Sequence, residues 1–184
     1  MRVLVIGGSA SGKSEFAEML IADGVALGER AAFSCATNRF YLATMEPFGA
    51  EGVARIARHR EMRRERGFET IECFANVGAV ALPARGDVLL EDIGNLVANE
   101  LYRADGAGAI GEPDVARYIA DGVLSLAAQC ETLVVVSNDV AREAADFDDE
   151  MQGYLAAIGR VNRYLAAEFD AVYEVVAGSA ERVK

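Results

Sequence analysis

The sequence predicts a doubly wound α/β fold, a mostly parallel sheet with helices on both faces, and three observations predict it. Short segments rich in Val, Leu and aromatics alternate along the chain with stretches of helical period. Several of these segments are apolar throughout rather than at every second residue, as strands are when both faces are covered. The first of them runs directly into a glycine-rich turn and then a helical pattern.

Strands are expected at 2–6 (RVLVI), 40–43 (FYLA), 87–91 (DVLLE), 132–136 (TLVVV) and 171–176 (AVYEVV). A weaker candidate at 31–35 (AAFSC) pairs with 40–43 as a hairpin. Helical period marks 13–26, 50–66, 92–103, 113–130 and 149–168; in the last, Met151, Leu155, Ile158, Val161, Asn162, Leu165 and Phe169 form one mostly apolar stripe. The glycine-rich stretch 102–114 and the acidic stretch 138–150 read as loops at the rim of a site beyond the strand C-termini.

Composition narrows the function. At 184 residues, with 52% hydrophobic and 26% charged, the chain reads as a single domain, 1–184, with a real core. A net charge of −11 opposes broad contact with nucleic acid or an anionic membrane, so any phosphate site is local. Cys35, Cys73 and Cys130 lack the spacing of a zinc site and read as buried thiols in a reducing compartment. No apolar run reaches the roughly 20 residues that span a bilayer, and the opening run is too short for a signal peptide; a cytoplasmic protein is expected.

The turn reads "GGSASGKS", Gly7, Gly8, Ser9, Ala10, Ser11, Gly12, Lys13 and Ser14, and matches GxxxxGK[ST] with a strand before and a helix after. Its glycines let successive amides point inward at phosphate oxygens, the helix adds its positive N-terminal dipole, and Lys13 reaches the outer phosphates. The fold is thus of the P-loop NTPase type, the anion a nucleoside triphosphate, and Ser14 a ligand for Mg2+. A second metal contact comes from an acid closing a later strand. Of Glu91 and Asp92, Glu91 continues the strand register and is favoured, while Asp92 is suited to cap the following helix.

The helical segment at 50–66 concentrates Arg55, Arg58, Arg60, Arg63, Arg64 and Arg66 around the only histidine, His59. Two readings stand. The segment is a solvated face relieved by Glu61 and Glu65, or Arg55, His59 and Arg63, which share one side, address a common ligand. A histidine among guanidinium groups stays neutral near pH 7, because like charge opposes its protonation, and a neutral imidazole is a competent nucleophile toward phosphorus.

Taken in order, "GGSASGKSEFAE", "YLAT", "RIARHR", "FETIE", "LLEDIGNLVANEL", "VVVSNDV" and "IGRVNRYLAAEFDAVYEVVAG" resemble the bifunctional adenosylcobinamide kinase/adenosylcobinamide-phosphate guanylyltransferase family over nearly the whole chain. The resemblance implies two reactions. ATP or GTP phosphorylates adenosylcobinamide, and a histidine then attacks the α-phosphorus of GTP and passes GMP to adenosylcobinamide phosphate. It assigns the triphosphate to Gly7–Ser14, GMP to His59, and further nucleotide contacts to Ala43, Thr44, Met45, Arg60, Glu61, Met62, Arg63, Glu72 and Glu91. It also implies Mg2+, a corrinoid substrate and a homo-oligomer of trimeric type.

The chain departs from that pattern in four places, one of them a single extra residue between His59 and Phe68. Ala10 stands where the loop usually carries arginine, residues 25–39 read as an insertion, and "AREAADFDDE" at 141–150 replaces a loop rich in glycine and proline. A kinase of another small alcohol or nucleoside is the alternative enzyme, and a nucleotide-dependent switch is the alternative class, although the NKxD base-reading motif is absent.

Overall fold

A computed structural model of the chain describes residues 1–23, 38–46, 61, 64–102, 112–139 and 147–184. Seven strands form one sheet: β1 (Arg2–Gly7), β2 (Arg39–Ala43), β3 (Glu69–Glu72), β4 (Asp87–Leu90), β5 (Thr132–Asn138), β6 (Ala171–Val176) and β7 (Ser179–Arg182). Their order is β3-β2-β4-β5-β1-β6-β7. Every neighbouring pair is parallel except β6 with β7, which is an antiparallel hairpin. This is the α/β class that the sequence predicts.

The helices are α1 (Lys13–Asp23), α2 (Ile93–Tyr102), α3 (Glu112–Ala127) and α4 (Asp149–Glu168). Val3, Val5, Tyr41, Leu89, Val134 and Tyr173 face α1 through Phe16, Ala17, Leu20 and Ile21. On the opposite face Leu4, Leu42, Leu90, Leu133 and Val135 pack on α2, α3 and α4 through Leu96, Ile119, Val123 and Ile158. Alternate residues of the central strands therefore serve two cores, which is why these strands are apolar throughout.

Several boundaries move. The 87–91 strand closes at Leu90, although the Glu91 amide still donates to Leu42 O at 3.1 Å. Helix α3 opens at Glu112, so Pro113 and Asp114 occupy its first turn rather than a loop. Proline fits there because a first-turn amide has no partner within the helix to lose. Asp148 caps α4, its side chain accepting from Met151 N at 2.9 Å.

The hairpin expected between 31–35 and 40–43 has no edge to form on. β2 pairs with β3 on one side and β4 on the other, so both of its hydrogen-bonding edges are taken. Residues 31–35 themselves lie outside the described residues, as do 25–37 of the segment read as an insertion and 140–146 of the acidic loop. Strands β3 and β7 went unpredicted because edge strands carry few apolar residues: ETIE and SAER hold one each.

The turn into β3 explains how the arginine-rich segment ends. Glu61, Arg64 and Glu65 are helical, Gly67 N donates to Arg64 O at 3.0 Å, and Gly67 has φ +81°, a left-handed angle that glycine takes without cost. Phe68 then drops into the core, its ring meeting that of Tyr41 edge-on at 6.0 Å.

Candidate active site

The loop between β1 and α1 is shaped by two left-handed residues, Ala10 at φ 55° and Gly12 at φ 90°. Such alternation turns successive amides to one side and builds an anion-binding concavity. Ser11 N donates to Gly8 O at 3.3 Å, Phe16 N to Gly12 O at 3.0 Å, and Lys13 Nζ to Gly8 O at 3.1 Å, so the ammonium lies along the loop. A side chain at Gly12 is strained by its angle and crowded by Gly178 Cα, which would stand 3.3 Å from an added Cβ. Gly178 N donates to Ser11 O at 2.8 Å, tying the β6–β7 turn to the loop.

Beside α1, Lys13, Ser14, Met45, Glu91, Asp92 and Arg66 line a cavity of about 330 Å3. Four of these are predicted site residues: Lys13, Ser14, Met45 and Glu91. Gly7, Gly8, Ser9, Ala10 and Ser11 line a second cavity, on the β6 side of the loop. Glu72 closes β3, level with Ala43 at the end of β2, one strand further out. Glu61 is exposed and paired with Arg64 at 3.0 Å, the solvated-face arrangement that the spacing allows. His59, Arg60, Met62 and Arg63 lie outside the described residues.

Thr44 is fully buried and each of its polar atoms is engaged within the protein. Its amide donates to Glu91 Oε2 at 2.9 Å, its hydroxyl donates to Asp92 O and accepts from Asn95 Nδ2, both at 3.2 Å, and its carbonyl accepts from Asn99 Nδ2 at 3.0 Å. Ala43 is likewise buried, in the core on the α1 face. In this geometry the pair orients the acids: Thr44 holds Glu91 toward the cavity and anchors β2 to α2.

Asp92 caps the following helix, as the sequence suggested, and it also lines the cavity that Glu91 lines. Its carboxylate accepts from Gly94 N at 2.7 Å and from Asn138 Nδ2 at 3.3 Å. Burial pushes the Asp92 carboxyl above its ordinary range, while the Gly94 amide, Lys13 and Asn138 pull against that rise.

Sequence reasoning missed the hold that the arginine-rich segment has on this cavity. Arg66, its last arginine, forms an ion pair with Glu18 of α1 across the cavity wall. It also missed Asn95 and Asn99. Their i, i+4 spacing in "DIGNLVANEL" sets both on one side of α2 and was the available signal.

Among the described residues no helix is long and apolar enough to cross a membrane. The family described as cobinamide kinase / cobinamide phosphate guanyltransferase matches residues 3–183. The bifunctional adenosylcobalamin biosynthesis protein CobU of Salmonella typhimurium is 31% identical over 194 residues, covering all of both chains. Its counterpart in Escherichia coli is 30% identical over the same span, again with full coverage of both. Among solved structures, a DnaB-like replicative helicase aligns with 94% of this chain and 46% of its own at 10% identity, with a TM-score of 0.47. A full-length match to one family, on a chain whose glycine-rich loop, lysine and paired acids meet at the strand C-termini, leaves one conclusion: the chain belongs to the cobinamide kinase / cobinamide phosphate guanyltransferase family.

Proposed function

We propose that this enzyme runs both of its reactions from the loop at Gly7–Ser14 and that its guanylyltransferase step passes through a GMP adduct on His59. The chain is an adenosylcobinamide kinase and adenosylcobinamide-phosphate guanylyltransferase of cobalamin biosynthesis, with nucleoside triphosphates as substrates. The residue roles are our reading, and so are the single domain, the trimer and the cytoplasmic location carried over from the sequence. The observation that carries the residue roles is the convergence of Lys13, Ser14, Glu91, Asp92 and Arg66 on one cavity beside the loop.

Phosphoryl transfer depends on charge placed around the transferring group more than on covalent chemistry by the protein. Lys13 and the loop amides hold the phosphates, and Arg66 adds a second cation at the cavity wall. The donors present suit Mg2+, an oxygen-seeking ion usually held by one or two carboxylates together with phosphates and water. Ser14, Glu91 and Asp92 would hold it. When bound, Mg2+ neutralises charge on the phosphate oxygens.

The second reaction needs attack at the α-phosphorus. The His59 imidazole forms the P–N bond as the bond to pyrophosphate breaks, and the acceptor phosphate then displaces histidine. Arg66, seven residues later in the sequence, is anchored at the nucleotide cavity, which supports His59 acting there. Incubation with GTP labelled at the α-phosphorus is expected to leave an acid-labile, base-stable label on the protein. His59→Ala is expected to abolish the label while kinase activity persists, and a label that survives the substitution refutes the assignment.

A further inference from the structure

Strand β5 lies between β1, whose end carries the phosphate loop, and β4, whose end carries the two acids. Its last residue, Asn138, touches both neighbours. In register it stands opposite Gly7, and the next amide, Asp139 N, donates to Gly7 O at 3.0 Å. Its side chain meets Asp92, with Nδ2 at 3.3 Å from Oδ1 and 3.4 Å from Oδ2. An ionised carboxylate only accepts, so the amide presents its nitrogen there. A donor almost equidistant from the two oxygens fixes the plane of the carboxylate more than it favours either atom. The shorter bond, from Gly94 N at 2.7 Å, falls on Oδ1 alone and leaves the group free to turn about that contact.

Two further residues hold this junction together. Asn162 is the polar member of the mostly apolar stripe on α4; its Nδ2 donates to Asn138 O at 3.0 Å, while its buried Oδ1 has no partner among the described residues. An unmatched buried oxygen costs stability that an apolar side chain would not, and the one bond that Asn162 makes fixes the end of β5. Gly94 stands in the first turn of α2, although glycine disfavours a helix. A Cβ there would lie 2.9 Å from Asn138 Nδ2 and from Tyr154 Oη, and 3.1 Å from Asp92 Oδ1. The missing side chain lets groups from the β4–α2 turn, β5 and α4 converge.

We propose that Asn138 is a positioning residue for the kinase reaction, acting through Asp92. Its amide sets the plane of the Asp92 carboxylate beside Lys13 and Ser14, so that the metal-bound triphosphate meets this acid in one orientation. Hydrogen bonds to a ligating carboxylate orient it and tune its hold on the ion. The proposal rests on the reading that Mg2+ and the triphosphate occupy this cavity.

The test uses the full chain and two variants that remove the donor, Asn138→Ala and the similarly sized, uncharged Asn138→Leu. Both retain the main-chain bonds to Asn162 and, through Asp139, to Gly7. Kinase kcat is expected to fall roughly tenfold to a hundredfold, with nucleotide KM at saturating metal within about threefold of the parent. Electron paramagnetic resonance titration of Mn2+, with protein and the β,γ-imido analogue of GTP, is expected to show metal affinity weakened by roughly tenfold. The double variant decides the mechanism. Adding Asn138→Ala or Asn138→Leu to Asp92→Asn is expected to cost less than about twofold more in kcat, because no carboxylate is left to orient. Losses that multiply in full overturn the proposal, as do parental kcat and Mn2+ affinity in the single variants. Lys13→Ala tests the underlying reading separately. If it binds the triphosphate as tightly as the parent, the cavity assignment falls and this proposal with it; if it loses binding while the Asn138 and Asp92 losses multiply, the cavity assignment stands and only this proposal falls.

Discussion

Asn99 is the residue whose loss should reach furthest from the smallest change. Its Nδ2 donates to Thr44 O at 3.0 Å and to Phe74 O at 2.8 Å, clamping the ends of β2 and β3 to α2. Asn99→Ala removes both bonds and leaves two carbonyls, that of the fully buried Thr44 and that of the half-buried Phe74, short of a donor. At about 1 kcal/mol net for each bond, and somewhat more for the unmatched acceptors, the loss is about 2–3 kcal/mol. In a chain of 184 residues each kcal/mol moves the midpoint by about 2–4 °C, so thermal unfolding followed by circular dichroism should fall by about 5–10 °C. Asn95→Ala, which removes one bond to Thr44 Oγ1 at 3.2 Å, should cost less than half of that. Because Thr44 N holds Glu91 Oε2, freeing Thr44 should also raise the KM for the nucleotide in the kinase reaction. A fall of under 2 °C, or one no larger than that of Asn95→Ala, would refute the clamp.

Other consequences follow from strain and burial. Ala177 sits at φ 50° before Gly178 at φ 80°, a hairpin turn that prefers Asn-Gly, so Ala177→Asn should raise the unfolding midpoint by about 2–4 °C through relief of about 1 kcal/mol. Asp92→Asn keeps an acceptor for the Gly94 amide but removes a buried charge. The raised carboxyl costs stability as pH climbs above the ordinary carboxylate range, so at pH 7 the variant should melt no lower than the parent while losing at least tenfold in kinase kcat. Burial pushes the Cys73 thiol up to about 11 and the Cys130 thiol to about 12. In a Cys35→Ser background both should therefore resist a thiol reagent at pH 8 until the protein unfolds. Since the folded values exceed the unfolded ones, the stability these thiols contribute is whole below about pH 9 and drains away as pH rises toward 11–12.

The chain's sequence by itself determined the class of fold and the phosphate loop, and the reasons are local. A strand covered on both faces must be apolar at every position, so VLVI, DVLL and TLVVV announce a parallel sheet without reference to any partner. A loop that turns its own amides inward needs its glycines at set intervals, and that spacing is written in consecutive residues. Edge strands β3 and β7 were silent because each holds one apolar residue and their pairing lies outside their own composition. Only the tertiary structure decided that Glu91 and Asp92 share a cavity, that Thr44 spends every polar atom on α2 and the acids, and that Arg66 reaches Glu18. Each of these joins residues dozens of positions apart, where hydrogen-bond partners are set by which strand lies beside which. Periodicity along one segment cannot carry that order; the packing of β4 between β2 and β5 does.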